Sequence, residues 1–139
     1  LGSRLRDRAD VAQLRSAGCQ SHVDRGAACY HQGVNQHETL AFLGLGTMGE
    51  SMARRLLPLC AQLWVYNRSA SAAQSLIAQG AHAAESPAEA AARASVVFVC
   101  VANDAATREV LLSPDSGALG AMRSGSRLVD CGTSSPELT

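Results

Sequence analysis

The residues whose types and spacing could do chemistry are concentrated between Leu40 and Leu57. Gly44-Leu45-Gly46-Thr47-Met48-Gly49 follows the apolar run Leu40-Ala41-Phe42-Leu43. It leads straight into a helical pattern with Met52, Leu56 and Leu59 on one face and Arg54 and Arg55 on the other. Strand, glycine turn and helix in that order is the context that gives a G-x-G-x-x-G spacing its meaning. Gly44 makes the tight turn, Gly46 lets backbone approach a pyrophosphate with no Cβ in the way, and Gly49 lets the helix lie close to the strand. The first-turn N–H groups and the positive end of the helix dipole then face the phosphates. The same glycines in a plain tight corner would do no chemistry; the pattern downstream favours a dinucleotide site.

The second chemical signal lies at the end of the next strand, Val65-Tyr66-Asn67-Arg68-Ser69. Sites for NAD place a carboxylate there to bond the adenosine ribose hydroxyls. This chain has none. An acid would repel a 2′-phosphate, whereas an arginine grips it bidentately. Asn67 and Ser69 add neutral donors. The expected cofactor is therefore NADP(H), with NAD(H) as the alternative.

Other constellations carry less. Cys19-x-x-His22 and Cys29-x-His31 supply four zinc-ligand types. The second spacing is tighter than zinc sites use and no strand-turn-helix context surrounds it, so no metal site is expected. The cysteine count is odd, five, which does not read as a disulfide framework. Cys100 and Cys131 fall in apolar strand patterns, where a free cysteine acts as a small hydrophobe. A reducing compartment follows, cytoplasm or an organelle matrix.

These residues need elements to position them. From Leu40 onward, strand-like apolar runs alternate with alanine-rich helical patterns, which predicts an α/β fold with a parallel sheet. Pro58 ends the first helix. Gln62–Asn67 is the second strand, 69–79 the second helix with Gly80 at its C-cap, and Ala81–Ala83 a short third strand. Ser86-Pro87-Ala88-Glu89 is a capping-box start for a helix to about Ala94. Ser95–Val101, nearly all apolar, is a central strand buried on both faces. Asn103 or Asp104 caps a helix through Leu112, Leu119–Met122 is a helical turn, and Arg127–Cys131 is a fifth strand. Ser135-Pro136-Glu137 opens another helix. A sheet ending at Cys131 would leave an open edge that invites aggregation. Residues 1–38 hold five arginines and three histidines but little periodicity, and read as an irregular or poorly ordered extension.

Bulk properties exclude several classes. The net charge is zero, so nothing advertises a nucleic acid or an anionic membrane as partner. No apolar run is long enough to span a bilayer. All twelve basic residues are arginine; there is no lysine.

Taken together, Gly44-Leu45-Gly46-Thr47-Met48-Gly49, Ser51-Met52-Ala53, Tyr66-Asn67-Arg68, Ser86-Pro87-Ala88-Glu89-Ala90 and the stretch Asp104–Leu111 resemble the β-hydroxyacid dehydrogenases, the family of 3-hydroxyisobutyrate dehydrogenase with 6-phosphogluconate dehydrogenase and imine reductases as relatives. The likeness covers about residues 40–139. It implies a Rossmann-type doubly wound sheet that binds NADP over 39–139, incomplete at its C-terminal end. It also implies an all-helical C-terminal domain, absent from this segment, that forms the homodimer. By the same likeness the glycine loop cradles the pyrophosphate, and Asn67, Arg68 and Ser69 face the adenosine phosphate. Val101, Ala102 and Asn103 line the ribose side, where the family usually has Leu-Pro in place of Val101-Ala102. Asp130-Cys131-Gly132-Thr133-Ser134-Ser135-Pro136 is similar to the family's Asp-x-Ser-Thr-x-x-Pro substrate motif. Thr133 would approach the nicotinamide, and Gly132, Thr133 and Ser134 the substrate. Gly132 replaces the motif serine, leaving backbone N–H groups there to serve an anion.

The family's general acid/base is a lysine beyond this segment, so no catalytic residue is expected in this chain, and His82 is structural or exposed. The implied reaction of the intact protein is hydride transfer between a small 3-hydroxy acid and its semialdehyde or oxo acid. Imine reduction on the same scaffold, or a nucleotide-binding or interaction module without turnover, are the alternatives.

Overall fold

A computed structural model describes residues 36–133 and residue 135. The four Cys and His residues weighed as zinc ligands, most of the N-terminal extension, Ser134 and the helix expected after Ser135 lie outside the described residues.

Five parallel strands form one sheet: β1 (Thr39–Leu43), β2 (Gln62–Tyr66), β3 (His82–Ala83), β4 (Val96–Val99) and β5 (Arg127–Asp130), in the order β3-β2-β1-β4-β5. Beside them lie α1 (Thr47–Leu56), α2 (Gln74–Ile77), α3 (Pro87–Arg93), α4 (Asp104–Leu112) and α5 (Ala118–Ala121). The expected doubly wound α/β architecture is present. Alternation along β1 explains why both faces are covered. Leu40 and Phe42 face one core with Leu63, Val65, Ala53 of α1 and Leu76 of α2. Ala41 and Leu43 face the other with Val97, Val99, Ala90 and Ala91 of α3, Leu111 of α4 and Ala118 of α5. On the first face Phe42 and Phe98 stack with ring centroids 5.9 Å apart. Leu40, Phe42 and Leu43 of β1 are removed from solvent, each contributing roughly 1.5–3 kcal/mol.

α3 begins where its sequence says it should. Ser86 Oγ accepts the Glu89 N–H at 3.1 Å, while Glu89 Oε2 accepts the Glu85 N–H at 2.8 Å. Replacing Ser86 by alanine removes the cap acceptor and is expected to lower the unfolding free energy by about 1 kcal/mol, read from a urea midpoint shift at constant slope.

The expected helix over 69–79 takes another form. Ala70–Ala73 is a 3-10 turn and only Gln74–Ile77 is α-helical. The Ser69 and Ser71 hydroxyls bond each other at 3.0 Å, and Ala72 N–H donates to Ser69 O in a three-residue turn. Serine oxygens compete with the helical ladder in this way. The far end is as read. Gly80 has φ +107°, its N–H donates to Ile77 O, and Ala81 N–H donates to Leu76 O, which together close a Schellman motif.

β5 is an exposed edge strand. It pairs with β4 alone, and all four of its residues are exposed, Leu128 and Val129 included. Among the described residues, no helix is long and apolar enough to cross a membrane.

Candidate dinucleotide site

Strand register builds the site. Leu43 pairs with Tyr66 on one side and Val99 on the other, and Val99 pairs with Asp130. Tyr66, Leu43, Val99 and Asp130 thus form one row across the carboxyl ends of β2, β1, β4 and β5. The residues just beyond that row are Asn67-Arg68-Ser69, Gly44–Gly49, Val101-Ala102-Asn103 and Gly132-Thr133. Every sequence-selected position among the described residues therefore lies on one rim of the sheet. The strand order reverses between β1 and β4, and open α/β sheets bind ligands outside the carboxyl ends at such a switch point.

The glycine turn departs from β1 at Gly44, whose N–H donates to Tyr66 O at 2.9 Å and whose φ is +95°. A Cβ here would overlap Cys100 O and lie 2.8 Å from Val101 Cγ1. At Gly49 a Cβ would overlap Gly44 O, so α1 packs directly on the turn. Gly46 differs. Its backbone is extended (φ −69°, ψ −175°), and a Cβ would meet no protein atom within 4 Å. Nothing inside the chain asks for glycine at this position, whereas a phosphate lying against the backbone would.

Helix capping points the same way. Ser86 caps α3, and Asn103 caps α4 by accepting the Ala106 N–H at 2.9 Å. α1 starts at Gly46 with no side-chain acceptor for its first-turn N–H groups. Those donors and the dipole face the open space over Gly46. Met48 stands in the same turn, 68% exposed.

Asn67 ties two loops together. Its Oδ1 accepts the Leu45 N–H at 2.9 Å and its Nδ2 donates to Ser69 O at 3.0 Å. The sequence reading aimed this side chain at the cofactor's phosphate; in the structure it sets the distance between the glycine turn and the Arg68 turn. Arg68 itself is exposed, with no hydrogen bond or ion pair to another described residue, and so is free to grip an anion. The acid nearest the loop in sequence, Glu50 of α1, lines the same cavity as Leu45, Gly46 and Thr47, with its carboxylate engaged by neighbours. Its Oε1 accepts from Ser75 Oγ and from Arg54 Nη2, both at 2.7 Å. The Ser75 hydroxyl first, then Arg54, hold its carboxyl below the ordinary range. This bridge between α1 and α2 was not legible in sequence, because neither residue belongs to a motif.

On the substrate side, Gly132 N–H donates to Asp130 Oδ1 at 2.8 Å. That amide is taken, so it does not serve an anion as the sequence reading expected. A Cβ at Gly132 would lie 3.1 Å from Val101 O and 3.2 Å from Asp130 Oδ1, close enough that a serine here would push its neighbours by a few tenths of an ångström. Thr133 is exposed. Asp104, at the start of α4, accepts the Ser135 N–H at 3.0 Å, and bonding to Ser135 holds its carboxyl low. Sequence spacing gave no signal for this tie between α4 and the Thr133 loop. His82 is exposed on β3, at the sheet edge opposite β5, where it stacks on Trp64 with centroids 4.9 Å apart. It does not approach the Thr133 loop. Among the described residues no cluster of three or more potential ligands could hold a metal ion.

Comparison with known proteins shows the family. Residues 39–139 match the family model of the NAD binding domain of 6-phosphogluconate dehydrogenase. A probable 3-hydroxyisobutyrate dehydrogenase-like 1, mitochondrial, of Arabidopsis thaliana is 43% identical over 99 residues, 71% of this chain and 30% of that protein. Cytokine-like nuclear factor N-PAC of Xenopus tropicalis is 38% identical over 98 residues, 70% of this chain and 18% of that protein. The solved structure of Psf3 in complex with NADP+ and 2-OPP superposes with TM-score 0.67 at 38% identity, over 71% of this chain and 35% of that one. The chain thus spans only a minor part of each relative's length.

Proposed function

The chain belongs to the family of the NAD-binding domain of 6-phosphogluconate dehydrogenase, and from that premise we propose that it is the NADP-holding part of an oxidoreductase acting on a 3-hydroxy acid. It is an NAD(P)-binding domain of the 3-hydroxyisobutyrate dehydrogenase-like oxidoreductases. The observation that carries the cofactor reading is Gly46, a glycine with no protein neighbour to explain it, at the uncapped start of α1. The residues fit the group. First-turn N–H groups and the backbone of Gly44–Gly49 receive the pyrophosphate, and Arg68 meets the 2′-phosphate that distinguishes NADP. Val101, Ala102 and Asn103 flank the ribose, and Thr133 the nicotinamide. When bound, the cofactor supplies a hydride acceptor or donor; this chain orients it, and Arg54 offsets the charge of Glu50, the acid that lines the cavity at Gly46.

In the intact protein the substrate pair is a small 3-hydroxy acid and its semialdehyde or oxo acid. The proton is handled by residues beyond this segment, and a C-terminal helical domain forms the homodimer. The name of the Arabidopsis relative supports this substrate class. Cys60, Cys100 and Cys131 are free thiols, in keeping with a reducing compartment, cytoplasm or an organelle matrix.

The test of NADP preference is a fluorescence titration with NADPH and NADH. An arginine–phosphate contact is charge-assisted and contributes about 1.5–3 kcal/mol. Arg68→Asp is expected to weaken NADPH binding roughly 10- to 150-fold and to leave NADH within a few-fold. Equal loss of both cofactors, or of neither, would remove Arg68 from the 2′-phosphate site.

A second reading, a nucleotide-binding or interaction module without turnover, is favoured by Gly132. The hydroxyl expected of the substrate motif is absent and the amide is bonded to Asp130. The likeness to a nuclear factor supports it too. Steady-state assay of the intact protein separates the two: NADPH binding with no turnover of any 3-hydroxy acid selects the module.

A further inference from the structure

Two thiols stand behind the cofactor rim with no part in holding the dinucleotide. Cys100 follows β4, Cys131 follows β5, and the register that pairs Val99 with Asp130 puts the two cysteines side by side in the next row. The ladder continues through that row. Cys131 N–H donates to Val99 O at 2.7 Å, and Cys100 N–H donates to Leu43 O at 2.9 Å. Two-residue alternation sends both side chains to the sheet face that carries Phe98. Cys100 Sγ is directed at the Cys131 carbonyl, 4.0 Å away. Adjacent strands lie about 4.8 Å apart, within the Cα separation of about 4.4–6.8 Å that a disulfide spans.

Both cysteines are free thiols, and neither is fully buried. Burial first, then the Cys100 thiol and the Asp130 carboxylate, push the Cys131 thiol up. A thiol held protonated is a slow first target for an oxidant, which suits Cys131 to the second step. Cys60, the remaining described cysteine, has a different setting. It precedes β2 at the opposite end of the sheet and donates to Leu57 O.

We propose that Cys100 and Cys131 are an oxidant-responsive dithiol that closes into an intramolecular disulfide when hydrogen peroxide reaches the rim. In the first step Cys100 sulfur attacks one peroxide oxygen. The O–O bond breaks, and the products are the Cys100 sulfenic acid and one water. In the second, Cys131 sulfur attacks the sulfenyl sulfur and the S–O bond breaks. The departing hydroxide takes the Cys131 proton and leaves as water. The two thiols lose two protons and two electrons, and the peroxide takes up both to become two waters. The bond forms immediately behind both cofactor loops, since a Cβ on Gly44 would overlap Cys100 O and one on Gly132 would reach the neighbouring Val101 O.

The experiment is peptide mapping of the full chain after stepwise addition of hydrogen peroxide, with remaining thiols alkylated and the fold followed by circular dichroism. The expected product is a Cys100–Cys131 cross-linked peptide pair, lighter by two hydrogens, that forms before any other cysteine pair. Cys131→Ser is expected to leave Cys100 as a sulfenic acid that dimedone captures. Singly alkylated Cys100 and Cys131 in a folded, peroxide-treated sample would overturn the proposal, as would preferential cross-linking of either one to Cys19, Cys29 or Cys60. The readout uses no cofactor, so its outcome is independent of the dinucleotide reading.

Discussion

Replacing Gly44 with alanine is expected to lower the unfolding free energy by about 3 kcal/mol or more and the melting temperature by roughly 12–24 °C. Two effects add. The φ of +95° is one that a Cβ makes unfavourable, and the added methyl would overlap Cys100 O at the junction of β1 and β4. Backbone cannot rotate aside as a flexible side chain can, so the strand ends must part. Gly80→Ala separates the two contributions. Gly80 shares the positive φ, at +107°, but a Cβ there meets nothing within 4 Å. It should therefore cost only the conformational part, about 1 kcal/mol. Equal losses for the two variants, measured by urea unfolding, would show that the contact with Cys100 contributes nothing.

The second large effect falls on binding. Gly46→Ala adds a methyl to open space on an extended backbone, so the stability change should stay below about 1 kcal/mol, most of it the difference between glycine and alanine at a helix N-cap. NADPH binding should fall by roughly 30- to 150-fold. The methyl occupies the space where a phosphate must approach the α1 amides, and overpacking of that kind costs about 2–3 kcal/mol. A folded Gly46→Ala protein that binds NADPH as the parent does would remove the phosphate from this turn. A large stability loss would mean that Gly46 serves the fold after all.

Most of what positions the site was legible because it is written in adjacent residues. Leu40–Leu43 before Gly44, the run Val96–Val99, Ser86 with Glu89, and Gly80 after Ile77 each obey a local rule, and the structure uses each of them so. What escaped were ties between distant residues. Asn67 to Leu45 spans 22 positions, Glu50 to Ser75 spans 25, and Asp104 to Ser135 spans 31, all made by side chains that local rules leave free to point elsewhere. Gly132 shows the limit on the substrate side. The sequence left its amide open to an anion, but Asp130, two residues before it, folds back and takes it. Arg127–Cys131 reads as a fifth strand, and Arg127–Asp130 is one, yet its exposure depends on what covers the sheet edge, which no residue in the strand encodes.

The most direct measurement is an amide-resolved nuclear magnetic resonance titration of the isotopically labelled chain with NADP+. The predicted result is a set of saturable shifts at Leu45–Gly49, Asn67–Ser69 and Val101–Asn103, with 2′-phospho-ADP-ribose reproducing the first two groups and ADP-ribose doing so more weakly. Shifts confined to the opposite end of the sheet, around Leu57, Gln62 and Gln79, or no shift in a folded sample at millimolar cofactor, would contradict a dinucleotide site at the carboxyl rim.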